Sequence, residues 1–235
     1  MQMTVNLILF LILALVAIAS ALGMLFSGNA VFAFSNLAAL INYSATSAVS
    51  FLLSLYLQYI KGLSPQIAGL VLIAQPVVMA VFSPLAGRLS DKIDPRILAS
   101  VGMGITTVGL LLLTFLDMST AMVFVVAILL VLGFGFALFS SPNSNAVMSS
   151  VERRYYGVAS GTLGTMRLTG QMLSLGIAML LFALYMGQVE ITPALYPKFL
   201  RSIETAFIVF AVLCFGGVFA SLARGSMKTD IRDKI

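Results

Sequence analysis

The residues best suited to chemistry in this chain are polar side chains set inside long apolar runs. One stretch places Asn36, Tyr43, Ser47, Ser50, Ser54 and Gln58 at steps of 7, 4, 3, 4 and 4 residues, which keeps all of them on one face of an α-helix. A second places Ser160, Gly164, Arg167, Gln171 and Ser174 at steps of 4, 3, 4 and 3, another polar face with a lone cation at its centre. Gln75 beside Pro76 and Asn143 beside Pro142 add amides where a proline frees a backbone carbonyl. Groups of this kind hold a small molecule by hydrogen bonds and charge. They do not break covalent bonds: the chain has no His to act as general base and no metal-ligand cluster or H-E-x-x-H pattern. Neither an enzyme nor a cofactor or metal is expected. Asn36, Tyr43, Ser47, Ser50, Gln75, Asn143, Arg167 and Gln171 are the candidate substrate-binding residues. The competing explanation for the two stripes is packing glue between helices, and for Arg167 a side chain that snorkels to the membrane surface.

The elements that must position these residues follow from composition. Of 235 residues, 60% are hydrophobic and 9% charged, against about 25% charged in a soluble domain. Apolar runs fall at 5–25, 33–59, 66–86, 97–116, 120–149, 157–187 and 202–223, each long enough for the roughly 20 residues that cross a bilayer. They are continuous rather than alternating, which excludes strands. The expected fold is all-α, a polytopic membrane protein of seven transmembrane helices, with no room for a sizeable soluble domain. The run 5–25 is read as an extra N-terminal span within 1–26, followed by six helices in 27–223 and a tail at 224–235. Its small residues near Ala19 would also suit a cleaved secretory signal, but residues 1–6 hold no Lys or Arg. Arg167 lies ten residues past Gly157, about 15 Å along a helix, where a charge costs on the order of 2.5–3.5 kcal/mol.

The 13 Lys and Arg outnumber the 8 Asp and Glu, yet they are scattered between apolar runs, which argues for the lipid bilayer and against nucleic acid as the partner. Arg88, Lys92, Arg96, Arg153, Arg154, Arg224, Lys228, Arg232 and Lys234 fall on one side, and Lys61, Lys198 and Arg201 on the other. By the excess of basic residues in cytoplasmic loops, the C-terminus is expected in the cytoplasm and, after seven crossings, the N-terminus outside a cell membrane. Cys214, the single cysteine, lies in an apolar run and reads as a packing residue.

Between the runs 66–86 and 97–116 stands Gly87-Arg88-Leu89-Ser90-Asp91-Lys92-Ile93-Asp94-Pro95-Arg96. Gly87 suits close helix approach, Asp91 suits the exposed N–H groups that open the next helix, and Lys92 and Arg96 suit an anionic leaflet. This G-x-x-x-D-K-x-x-x-R loop resembles the signature loop of the major facilitator superfamily, with Asp94 where the family usually has Gly. Gly133-Phe134-Gly135, Ser141-Pro142-Asn143-Ser144-Asn145 and the stretch from Gly157 to Arg167 are similar to the fourth and fifth helices of that family's C-terminal half, most closely in the fourteen-span drug:proton antiporter branch. The resemblance implies export of a small amphipathic substrate and twelve or fourteen helices, so a second half is expected, either a second copy in a homodimer or a separate N-terminal half. No Asp or Glu falls in the middle of a run, and proton coupling needs such an acid, so the coupling group is expected on that other half. The alternatives are a truncated piece that transports nothing and a membrane scaffold or binding subunit.

Overall fold

The computed structural model describes residues 29–187 and 191–224. The apolar run 5–25, and the tail beyond Arg224, lie outside the described residues. Six long helices are present: α1 (Ala30–Ile60), α2 (Pro65–Ser90), α3 (Pro95–Leu113), α4 (Met122–Ser149), α5 (Arg153–Met186) and α6 (Pro193–Ala223), all long and apolar enough to cross a membrane. The described residues contain no strand. The molecule is an all-α, multi-pass membrane protein.

Local chemistry sets the helix ends. The Asn29 side chain accepts from the Phe32 amide and opens α1, Ser64 precedes Pro65 at the start of α2, and Asp94 precedes Pro95 at the start of α3. An N-cap oxygen followed by a proline that has no N–H to lose is a favourable helix start. The same logic moves the last span. The apolar run begins at 202, but Pro193 and Pro197 let a short 3-10 turn and then helix begin well before it, so Lys198 and Arg201 ride on α6 instead of a loop. At the other end of the molecule α2 continues to Ser90. Gly87 and Arg88 are therefore helical, and the signature loop narrows to Asp91–Asp94.

Two helices are interrupted, α1 where even spacing treats it as uniform and α2 beside the proline that sequence reading marks. In α1 the regular helix stops at Thr46, resumes at Val49 and passes into a π turn at Tyr56–Ile60. The Ala48 N–H donates to Ser174 Oγ of α5 at 2.9 Å. In α2 the break falls at Ile73, just upstream of Pro76, whose missing N–H leaves the Leu72 carbonyl without its usual donor. By contrast Pro142, expected to interrupt its helix, sits inside an α4 that is continuous from Met122 to Ser149.

Packing is organised around α4, which lies against both α2 and α3, while α1 and α6 pack on each other and α5 covers α1. Gly133 and Gly135, about 200° apart on the helix, serve the two sides of α4. A Cβ on Gly133 would sit 2.5 Å from the Gln75 carbonyl oxygen of α2, and one on Gly135 would sit 2.7 Å from Thr106 Oγ1 and 2.9 Å from the Gly102 carbonyl of α3. Helix backbones thus touch on both flanks of α4. In lipid there is no hydrophobic force between helices, so contact of this kind and hydrogen bonds must hold the bundle. The core comes mainly from α1, α3, α4 and α6, with Leu52, Tyr56, Met103, Leu110, Phe139, Phe207 and Phe210 among its buried members. Helices α2 and α5 stay at the outside: 6% and 17% of their most apolar stretches are buried, against 61% for α1 and 56% for α3 and α4.

The outer turn after α3 is clamped to the end of α1. Tyr56 Oη donates to the Asp117 carbonyl at 2.7 Å and Lys61 Nζ to the Met118 carbonyl at 2.7 Å. Inside the turn the Asp117 carboxylate accepts from Ser119 and Thr120, and these hydroxyls hold its carboxyl below the usual carboxylate range.

Gly133→Ala and Gly135→Ala should each destabilise the bundle by about 1–3 kcal/mol, the range for overpacking a tight contact, read as a lower melting temperature in detergent. Gly161→Ala, where an added Cβ meets nothing within 4 Å, should leave that temperature unchanged or slightly raised.

Candidate functional site

The two polar faces converge. Arg167 of α5 sends its guanidinium between α1 and α4: Nη2 donates to Ser144 Oγ at 2.6 Å, and the guanidinium carbon lies 5.6 Å from the centre of the Tyr43 ring. The Tyr43 ring meets Phe136 of α4 edge-on at 5.3 Å. The close seat of α5 on α1 is set by Gly170, whose Cβ would lie 2.7 Å from the Leu40 carbonyl and 2.9 Å from Tyr43 Cβ. Arg167 and Gln171 are half-buried on a seam of α5. Leu163, Met166 and Gly170 are buried on one side of it, and Thr165, Leu168 and Met172 are exposed on the other. The arginine faces the bundle, and its side chain leans towards the end of α4 that carries Ser144.

Other candidates go elsewhere. Asn36 is fully buried; its Nδ2 donates back to the Phe32 carbonyl and its Oδ1 has no partner. Ser50 is exposed, whereas Ser47, Ser54 and Gln58 are half-buried, because the turn at Ser47–Ala48 and the π turn rotate the face that even spacing predicts to be continuous. Gln58 bonds within its own helix to Ser54 Oγ at 2.8 Å. Gln75 is half-buried beside the α2–α4 contact, its Oε1 enclosed and without a partner.

Asn143 belongs to a second centre, at the basic end of the bundle. Its Nδ2 donates to the Ser35 carbonyl at 3.1 Å, and its Oδ1 accepts from Arg224 Nη1 at 3.0 Å. Arg224 also donates to Ser35 Oγ at 3.2 Å and, through Nη2, to the Pro95 carbonyl at 2.7 Å. Only 1% of Arg224 is exposed. Placed by sequence at the head of a solvated tail, it is instead buried, and it joins the end of α6 to the starts of α1 and α3 and to α4. Burial pushes its pKa down to about 10, with Asp94 opposing the shift, so it stays a cation at neutral pH.

The signature loop sits on this centre. A Cβ on Gly87 would meet Ser141 Oγ of α4 at 3.0 Å. The helix-opening role expected of Asp91 falls to Asp94, whose Oδ1 accepts from the Arg96 amide at 2.9 Å. Asp91 and Lys92 are exposed and Arg96 is half-buried. Asn145 Nδ2 ties α4 to Ser90 Oγ at 2.9 Å. The family model of the Major Facilitator Superfamily matches residues 35–233. The chain belongs to the major facilitator superfamily. Relatives that match it include the riboflavin transporter RibZ of Clostridioides difficile, 32% identical over 59% of this chain and 30% of that protein. The uncharacterized transporter YwbF of Bacillus subtilis is 33% identical over 80% of this chain and 42% of its own length. The lincomycin resistance protein LmrB of Listeria monocytogenes is 25% identical over 77% and 40%. The match thus spans less than half the length of these relatives. The first two are named as transporters and the third as a resistance protein, and a chain of this superfamily is a transporter rather than an enzyme.

Within this superfamily chain, sequence reasoning missed Ser35, Ser144 and Arg224. Ser144 stands in a quoted motif but on no polar stripe. Ser35 sits one place off the stripe through Asn36, and an arginine just past an apolar run carries the same signature whether it faces solvent or turns inward. Arg224→Ala should leave the Asn143 and Ser35 oxygens short of a donor, at about 1–3 kcal/mol for each buried group, seen as a lower unfolding midpoint in SDS. Arg153→Ala, at an exposed position, should not shift it.

Proposed function

We propose that the six-helix bundle α1–α6 works as the C-terminal half of a fourteen-span, drug:proton antiporter-like exporter of amphipathic compounds, with its basic end in the cytoplasm. The observation that carries this reading is the inward-facing Arg167, seated on Tyr43 and Ser144 at the meeting of α1, α4 and α5 in a chain of this superfamily. A deep cation that turns towards the bundle rather than lipid marks a substrate pathway more often than packing. The relatives named for riboflavin transport and lincomycin resistance fit a substrate of moderate size with polar and apolar parts.

The partner is a second bundle, a separate N-terminal half or another copy, laid against the exposed faces of α2 and α5, the least buried of the six helices. A separate N-terminal half would also supply the proton-carrying acid, which a second copy of this chain does not. Among the described residues Asp91, Asp94, Asp117 and Glu152 are in loops, and Glu204 pairs with Arg201 at 3.9 Å on the exposed surface of α6.

Reconstitution in liposomes under an imposed pH gradient tests the proposal, with uptake of a cationic dye as the signal. Flux should require co-reconstitution with an N-terminal six-span half. Gradient-driven flux from this chain alone as a monomer would show that its own residues suffice for coupling. The mass of the detergent-solubilised complex separates homodimer from monomer.

A further inference from the structure

We propose that Arg167, positioned by Ser144, forms an oxyanion subsite, so that the preferred cargo carries a carboxylate or a similar singly charged oxygen group. This rests on the transport reading above and names the chemical class that the same site takes.

The argument begins with an uncompensated charge. Ion pairs among the described residues join Arg154 to Glu152 and Arg201 to Glu204, all at exposed positions. Arg167 is in neither. Ser144 gives it one hydrogen bond to a neutral hydroxyl, and the face of Tyr43 gives a quadrupole attraction of roughly 0.5–2 kcal/mol; neither supplies a negative charge. The guanidinium also keeps an unused donor group: Nη1, beside Nη2 at the end of the side chain, makes no hydrogen bond among the described residues. Arginine presents these N–H groups as a planar fork that fits two oxygens of one carboxylate. The Ser144 hydroxyl donates its own proton to the Ser140 carbonyl at 2.7 Å and accepts from Nη2, so it positions the guanidinium and leaves the anion to the arginine.

Room exists on the approach. One turn before Arg167, a Cβ added at Gly164 meets nothing within 4 Å, and the same holds at Gly161. Gln171, one turn after, is half-buried on the same seam and adds an amide to the wall. An anion arriving along the open side of α5 would meet the only deep cation of the described spans, where removal from water makes the attraction strong.

Binding is the direct test, because it needs no flux. The purified full chain in phosphatidylcholine nanodiscs is titrated with radiolabelled salicylate and with salicylamide, its neutral counterpart of nearly equal shape. The wild type should bind salicylate at least tenfold more tightly. Arg167→Gln should remove that preference while leaving salicylamide binding intact, and Arg167→Lys should retain part of it. Ser144→Ala should reduce the preference severalfold. Adding phosphatidylglycerol to the nanodiscs separates sources of the same chemistry: lost salicylate preference means that a lipid phosphate takes the subsite, and retained preference means that cargo does. Equal affinity for acid and amide in the wild type overturns the proposal, as does a preference that survives Arg167→Gln. Salicylamide binding without acid preference leaves the transport reading standing; loss of gradient-driven flux with the acid preference intact removes transport and leaves the anion site.

Discussion

The structure depends on one close approach: α4 lies between α2 and α3 with backbone touching backbone on both flanks, through Gly133 against Gln75 and Gly135 against Gly102 and Thr106. Once helices are in lipid, association rests on dispersion contacts and hydrogen bonds, and both fall off steeply with distance. Two residues without side chains, two positions apart, give α4 a bare surface on opposite faces. Every other placement follows. With α3 fixed, α6 packs on α3 and α1 in turn, and α1 and α4 then stand close enough for Arg167 to touch both. A methyl group at either glycine would push apart the walls that hold the cation.

The two interior arginines illustrate two solutions to one physical problem. Arg224 is sealed and donates to three oxygens, from Ser35, Asn143 and Pro95, so its charge is spread over hydroxyl, amide and carbonyl dipoles at a joint between four helices, although its Nε–H has no partner. That arrangement is structural: it fixes the signature loop's exit at Pro95 relative to the end of the bundle. Arg167 meets one hydroxyl and one ring face and keeps donors unused.

Much of the fold was legible because bilayer physics leaves few choices. A continuous apolar run of sufficient length must be a helix, and the six described spans fall where the runs fall. Ends were less legible wherever proline or glycine chemistry competes with hydropathy, as in the early start of α6 at Pro193 and the late end of α2 at Ser90. The inward placement of Arg167 and Tyr43 was legible because a polar face at helical spacing must turn from lipid. The contact between Asn143 and Arg224 was not legible, since the partners lie far apart in sequence, 81 residues for that pair and 189 for Arg224 with Ser35, and no local pattern encodes such a contact. Ser50 was misleading for a different reason: spacing arguments assume an unbroken helix, and α1 is broken at Ser47–Ala48.

That break bears on mechanism. The Ala48 amide, freed from the helix ladder, is held by Ser174 of α5, one turn beyond Gln171 and on the same face as Arg167. Helices α1 and α5 are therefore joined at two levels, by a side-chain hydroxyl at a discontinuity and by a guanidinium over Tyr43. The discontinuity lets the two halves of α1 tilt separately, since no run of helical hydrogen bonds crosses it unbroken. Movement of α5 against α1 would then change the seat of the arginine without disturbing the glycine contacts that fix α4. The cation thus sits between a helix fixed by glycine contacts and a helix broken at Ser47–Ala48.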